Sequence, residues 1–275
     1  MIQASVYKPQ RFFAITYAIT WVSWFLAAFL SYQEGGETLF IPFLIPGLVA
    51  PFATALWMIL RSRSSGLKKR FTSRLFDPRL IKPASLLPIL TIMPATVLVS
   101  AWISLLFGQP LTQFQLAEGF SFSVGFVPVL IVLILAATFE ELGWRSYALD
   151  SLNVKSNYFT ATLIFALLWA GWHLPLFFIN GYYQNEIVRM NLLYGVNFMI
   201  SVIPMAFIIS WLCRLNRGSI LIAILFHFLI NMCQEALQIT QVTKCIETGV
   251  LFLIAAVIVL LNQKMFFEKP REALA

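Results

Sequence analysis

The chain has 275 residues, 60% of them hydrophobic and 11% charged, with a formal net charge of +7 and a mean hydropathy of +0.82. These values exclude an ordinary soluble globular domain and predict a polytopic membrane protein of all-α class. Only two histidines are present, His173 and His227, and both lie inside apolar runs, where titratable groups are costly and rarely idle.

Runs long enough to cross a bilayer, about 20 apolar residues, predict a bundle of eight transmembrane helices. They fall near 12–32, 39–60, 85–107, 126–148, 157–180, 192–213, 219–239 and 247–263. Connections are short except for 61–84, so residues 1–275 are expected to form a single domain without an internal repeat. Residues 1–11, with Lys8 and Arg11, resemble the start of a signal peptide. The apolar run that follows is too long and lacks an A-x-A site, which predicts an uncleaved anchor.

The segment 61–82 carries eight basic residues against one acid, Asp77. Within it Leu67, Phe71 and Leu75 are at helical spacing, the pattern of a cytoplasmic interfacial helix on anionic headgroups rather than of a nucleic-acid-binding segment. With a cytoplasmic N-terminus and eight spans, all 19 Lys and Arg except Arg189 and Lys244 fall on the cytoplasmic side. Glu34, Glu37, Glu118, Glu186 and Glu247 fall on the other. Both termini are therefore expected in the cytoplasm, at the cell membrane of a prokaryote or the endoplasmic reticulum of a eukaryote. Cys213, Cys233 and Cys245 lack C-x-x-C spacing and suggest neither a disulfide framework nor a metal site. Nothing in the sequence sets an oligomeric state.

The residues available for chemistry are few. No H-E-x-x-H helix is present, the histidines being 54 residues apart. The only aspartates, Asp77 and Asp150, fall in loops, and no G-x-S-x-G motif occurs. Cys233 follows His227 by six residues, about 240° around a helix, and faces away from it. Glutamate remains.

The fourth span reads Phe139-Glu140-Glu141-Leu142-Gly143-Trp144-Arg145. Glu141 and Arg145, at i and i+4, share a face and can pair, whereas Glu140 points about 100° away and lacks that partner. A desolvated carboxylate without a cation is the stronger base. The division of labour is therefore Glu140 as base, with Glu141 and Arg145 as support. The structural alternative is that all three only anchor the cytoplasmic end of the span.

The fifth span carries Trp169-Ala170-Gly171-Trp172-His173, and the seventh His227-Phe228-Leu229-Ile230-Asn231, with His227 and Asn231 one turn apart on one face. Alone, His173 reads equally as a packing residue and Asn231 as an interhelical hydrogen bond. Together the three clusters fit acyl transfer to water. Glu140, helped by His173, would deprotonate a water attacking a peptide carbonyl, and His227 with Asn231 would hold the oxyanion.

Zinc is the competing cofactor, since two histidines and a glutamate form an accepted ligand set. Against it, Asn231 is a poor zinc ligand and no spare acid is left to orient a histidine, so no metal is expected. His173 lies about 16 residues into its span, near 24 Å along it, so that helix is expected to be tilted, to begin in the cytoplasm, or to be broken. A proton-coupled transporter would show inverted repeats and interrupted helices in matching halves, and none is seen.

E-E-x-x-x-R, aromatic-x-x-x-H and H-x-x-x-N on successive apolar segments resemble the CAAX protease and bacteriocin-processing family, within it the type II CAAX prenyl proteases of the Ras-converting kind in an archaeal form. Trp169 stands where many members have Phe. The resemblance implies an endopeptidase that removes the C-terminal a-a-X tripeptide of an isoprenylated CAAX protein, from a polar cavity open to the cytoplasm. It also implies Glu140, His173, His227 and Asn231 as catalytic residues without a metal. A non-catalytic role in immunity or in binding lipidated proteins, suggested for relatives, remains the alternative.

Overall fold

A computed structural model describes residues 6–118 and 129–268. The first three residues of the expected fourth span, 126–128, and the basic residues Lys269 and Arg271 lie outside them. The described residues form helices joined by short turns and loops, with one isolated bridge between Leu116 and Leu237. Ten helices carry the architecture: α1 (Pro9–Ser31), α2 (Ile41–Arg61), α3 (Ser65–Phe76), α4 (Leu86–Leu105), α5 (Val129–Gly143), α6 (Tyr158–Trp172), α7 (Tyr183–Met190), α8 (Leu192–Leu215), α9 (Ile220–Ala236) and α10 (Gln241–Leu261).

Each of the eight expected spans overlaps one of these helices, though not all of them reach spanning length. Among the described residues, six segments are long and apolar enough to cross a membrane, namely Pro9–Ser31, Ile41–Arg61, Pro83–Leu105, Tyr158–Phe178, Leu192–Leu215 and Gln241–Leu261. α9 is shorter, and 15 residues of α5 are described. α9 is central, packing against α4, α5 and α8, while α2 bridges α1 and α5. A core built from Phe12, Trp144, Phe165 and Trp172 runs through the bundle, and such interhelical packing is what holds helices together where the surroundings are equally apolar.

Helix ends follow from local chemistry. Ser64 caps α3 by accepting from the Leu67 amide at 3.2 Å, and Asn157 caps α6 from the Thr160 amide at 2.8 Å. α6 stops at Trp172 because Pro175 cannot donate to the Gly171 carbonyl, and the chain tightens into a 3-10 turn over Leu174–Phe178. Of the three arrangements open for the fifth span, the helix is broken, with His173 at its C-cap.

α3 turns its apolar stripe inward. Leu67 is buried in the main core, and Phe71 and Leu75 pack on Leu142, Ile220 and Ile224, so this stripe covers protein. Arg74 is buried here, donating to Asp150 Oδ2 at 2.6 Å and to the Arg145 carbonyl at 2.8 Å. The three cysteines are free thiols.

Gly143 marks a close backbone contact between helices. A Cβ there would lie 2.4 Å from the Pro51 carbonyl carbon, so α5 and α2 meet backbone to backbone. Gly143→Ala is expected to push the helices apart and lower unfolding stability in detergent by about 1–3 kcal/mol. A melting temperature equal to that of the parent would show that α2 yields freely.

Candidate active site

Three helices bring the sequence-selected polar residues to one cavity of about 700 Å³, which is lined by Glu140 of α5, His173 at the end of α6, and His227 and Asn231 of α9. Glu141 and Arg145 stand behind it, both fully buried.

Glu140 is 6% exposed, and its Oε2 accepts from Trp169 Nε1 at 2.8 Å and Trp144 Nε1 at 3.3 Å. The carboxylate expected to stand alone has no cation in ion-pair contact among the described residues and is held by two neutral indole donors. Such donors orient a carboxylate without cancelling its charge.

Glu141 differs. Its Oε2 lies 3.2 Å from Arg145 Nε, the i,i+4 pair expected from the spacing, although the chain passes into a π turn over Trp144–Ala148 at that point. None of the Arg145 nitrogens finds an aligned hydrogen-bond acceptor among the described residues. The guanidinium is instead flanked by the rings of Phe165 at 4.6 Å and Trp169 at 5.1 Å, a cation–π contact that partly offsets its desolvation.

Glu141 Oε1 also lies 2.9 Å from His227 Nδ1. This corrects the expectation that no acid was left to orient a histidine: the acid assigned to Arg145 serves both. Because a carboxylate only accepts, Nδ1 carries the proton and Nε2 is the ring nitrogen available to the cavity. His173 is held differently, Nδ1 lying 2.8 Å from the Trp169 carbonyl. Its Nδ1 donates there and Nε2 keeps its lone pair.

Trp169 is the residue the sequence underrated. Its indole donates to Glu140, its carbonyl receives His173, its ring meets His227 edge-on at 5.4 Å and lies against the Arg145 guanidinium. The available signals were its i,i+4 spacing from His173 and the need of a buried indole N–H for an acceptor. Trp144, four residues after Glu140, carried the same signal.

Beyond Asn231 the cavity continues past a second polar group. Glu247, expected at the start of the last span, is buried in the second turn of α10 and accepts from Gln234 at 2.8 Å. Lys244 reaches the Tyr183 hydroxyl at 3.0 Å.

The lining comes from the first halves of α2, α8 and α10 and the second half of α9. In an antiparallel bundle these ends lie away from α3 and the 214–217 turn. The cavity and the basic face therefore occupy opposite halves. The apolar wall is shared by α2 and α5, and Ile45 and Leu135 line the cavity while also being exposed on the bundle surface.

A family model described as type II CAAX prenyl endopeptidase Rce1-like matches residues 122–233, a range that spans Glu140 to Asn231. The chain is 48% identical over 269 residues to CAAX prenyl protease 2 of Methanococcus maripaludis, covering 98% of this chain and 99% of that protein. It is 29% identical over 192 residues to lysostaphin resistance protein A of Staphylococcus haemolyticus, covering 68% of this chain and 47% of that protein. A counterpart in Staphylococcus aureus is 30% identical over 137 residues, covering 50% of this chain and 29% of that protein. With near-complete coverage at 48% identity, the chain belongs to the Rce1-like family of type II CAAX prenyl endopeptidases.

Proposed function

We propose that this protein is an intramembrane endopeptidase that removes the C-terminal aaX tripeptide from isoprenylated CAAX proteins, with Glu140 and His173 activating water and His227 and Asn231 holding the oxyanion. The observation that carries this reading is the convergence of these four side chains on one cavity with an apolar wall.

Glu140 takes a proton from water while the oxygen attacks the scissile carbonyl carbon. His173, with Nε2 unprotonated, is suited to accept the second hydrogen bond of that water. The C–O bond forms as the carbonyl π bond breaks, and the resulting oxyanion accepts from Asn231 Nδ2–H and from a protonated His227 Nε2. Collapse breaks the C–N bond as the proton held by Glu140 passes to the leaving nitrogen, and the hydroxyl proton left on the new acid passes to the freed amine, giving carboxylate and ammonium. The products are a prenylcysteine carboxylate and a free tripeptide.

The prenyl chain is taken to lie along the α2–α5 wall, where lining residues are also surface-exposed. Lateral access of this kind brings the lipid to the cavity wall while the basic face remains cytoplasmic, as the charge distribution favours. The residues do not fit a zinc ion. Glu141 is taken up by Arg145 and His227, Glu140 by two indoles, and no three His, Cys, Asp or Glu side chains among the described residues are grouped as ligands. We therefore assign the reaction to these side chains without a metal.

The direct test is cleavage by the purified protein of paired peptides ending in the same CAAX sequence, with and without the prenyl group. Tripeptide is expected only from the prenylated peptide, and equally after exhaustive chelation. Equal turnover of both peptides would refute lipid selection, and loss of activity restored by stoichiometric zinc would refute the metal-free assignment. Asn231→Ala is expected to lower kcat by roughly a hundredfold to a thousandfold with a small change in KM. A KM effect alone would move Asn231 from the transition state to substrate binding.

A further inference from the structure

The opposite half of the bundle contains a second cavity, of about 210 Å³, lined by Arg70, Arg74, Asp150, Arg214 and Arg217 with Tyr158 at its side. Its chemistry is unrelated to peptide hydrolysis. Four arginines and one carboxylate line it, Arg214 and Arg217 being exposed, and the carboxylate is already shared by Arg70 Nη2 at 3.1 Å and Arg74 Nη1 at 2.6 Å. Arg74 is further committed to the carbonyls of Gly218 and Arg145. Arg214 and Arg217 have no carboxylate within ion-pair distance among the described residues; Arg214 lies over the Tyr158 ring at 5.1 Å. The cavity thus holds a surplus of three positive charges.

Like charges gathered around a concavity repel one another and are destabilising without a counter-charge. The backbone adds a second sign. Arg217 has φ 55°, the one left-handed non-glycine among the described residues, next to Gly218 at φ 84°. A glycine or asparagine would take this turn at lower cost, yet a long cation stands there with its side chain in the cavity wall. Asn216 fixes the turn by accepting the Lys82 amide at 2.7 Å.

We propose that this cavity is a binding site for a phosphate-bearing anion, the headgroup of an anionic phospholipid being the source its position favours. Guanidinium groups match phosphate oxygens in geometry as well as charge. The volume equals about seven waters at roughly 30 Å³ each, enough for a phosphate with part of its hydration. The site lies at the helix ends beside the basic helix α3, the kind of place where basic pockets between membrane helices meet headgroups. This inference is independent of the catalytic reading, since no lining residue touches the four catalytic side chains.

The test is native mass spectrometry of the intact chain in neutral detergent, titrated with dioleoylphosphatidylglycerol, with dioleoylphosphatidylcholine as control. The parent is expected to retain phosphatidylglycerol preferentially, and Arg214→Gln/Arg217→Gln to bind it roughly tenfold more weakly. Arg217→Gly separates ligand from fold: it should weaken binding while the melting temperature stays equal or rises, because the strained turn is relieved. Lack of competition by millimolar inorganic phosphate identifies the lipid as the source, whereas competition identifies a site for free phosphate. Equal phosphatidylglycerol binding by parent and variants, or no binding by the parent, would overturn the proposal.

Discussion

Glu140→Gln should yield a folded protein that no longer releases tripeptide from a prenylated peptide. The amide oxygen can still accept from Trp169 and Trp144, so the two indoles keep their partner and the helix contacts persist. What is lost is the capacity to take a proton. General base catalysis alone is worth roughly a hundredfold to ten-thousandfold, and in the proposed mechanism the same group also returns the proton to the amine. A fall in kcat of at least about a thousandfold is expected, with peptide affinity and melting temperature near those of the parent. Turnover within tenfold of the parent would remove Glu140 from the role of base. The same variant separates enzyme from lipid-protein binder: a binder retains its whole function when this carboxylate becomes an amide.

The largest loss of stability is expected at the pair behind the site. Glu141 and Arg145 are both fully buried, and the guanidinium has no aligned acceptor to replace the carboxylate. Removing one member leaves the other charge uncompensated, at a cost of about 3–5 kcal/mol, whereas removing both costs far less than the sum. Glu141→Ala, Arg145→Ala and the double variant, unfolded in detergent, should therefore show strong positive coupling. Additive losses would mean that water reaches the pair. Glu141→Gln refines the result: it keeps an acceptor for His227 Nδ1 and should retain more activity than Glu141→Ala at comparable stability.

Much of this architecture can be read from the chain because a membrane protein announces its helices through length and apolarity. The i,i+4 pairs Glu141–Arg145 and His227–Asn231 needed only the helical period. What escaped reading depends on which helices become neighbours. The contact of Glu141 with His227 joins residues 86 apart, and nothing in either segment selects it. Glu140 looked solitary because an indole carries no charge to attract notice, although Trp144 sat at the right spacing. The break at His173 was signalled by Pro175, but length alone also allowed a tilted helix. The depth of the cavity was hidden for a different reason. Charged loops report which face of a bundle meets the cytoplasm and say nothing about how far toward the other face a polar cluster lies.

Trp169 makes simultaneous contact with the base, with both histidines and with the buried cation. A small rotation or slide of the end of α6 therefore carries the indole donor, the carbonyl acceptor and the ring edge in the same direction and by related amounts. Positional errors among the reacting groups become correlated, and their mutual distances vary less than the position of any one of them. The proteolytic geometry can thus stay within tolerance while the surrounding helices adjust to bilayers of different thickness.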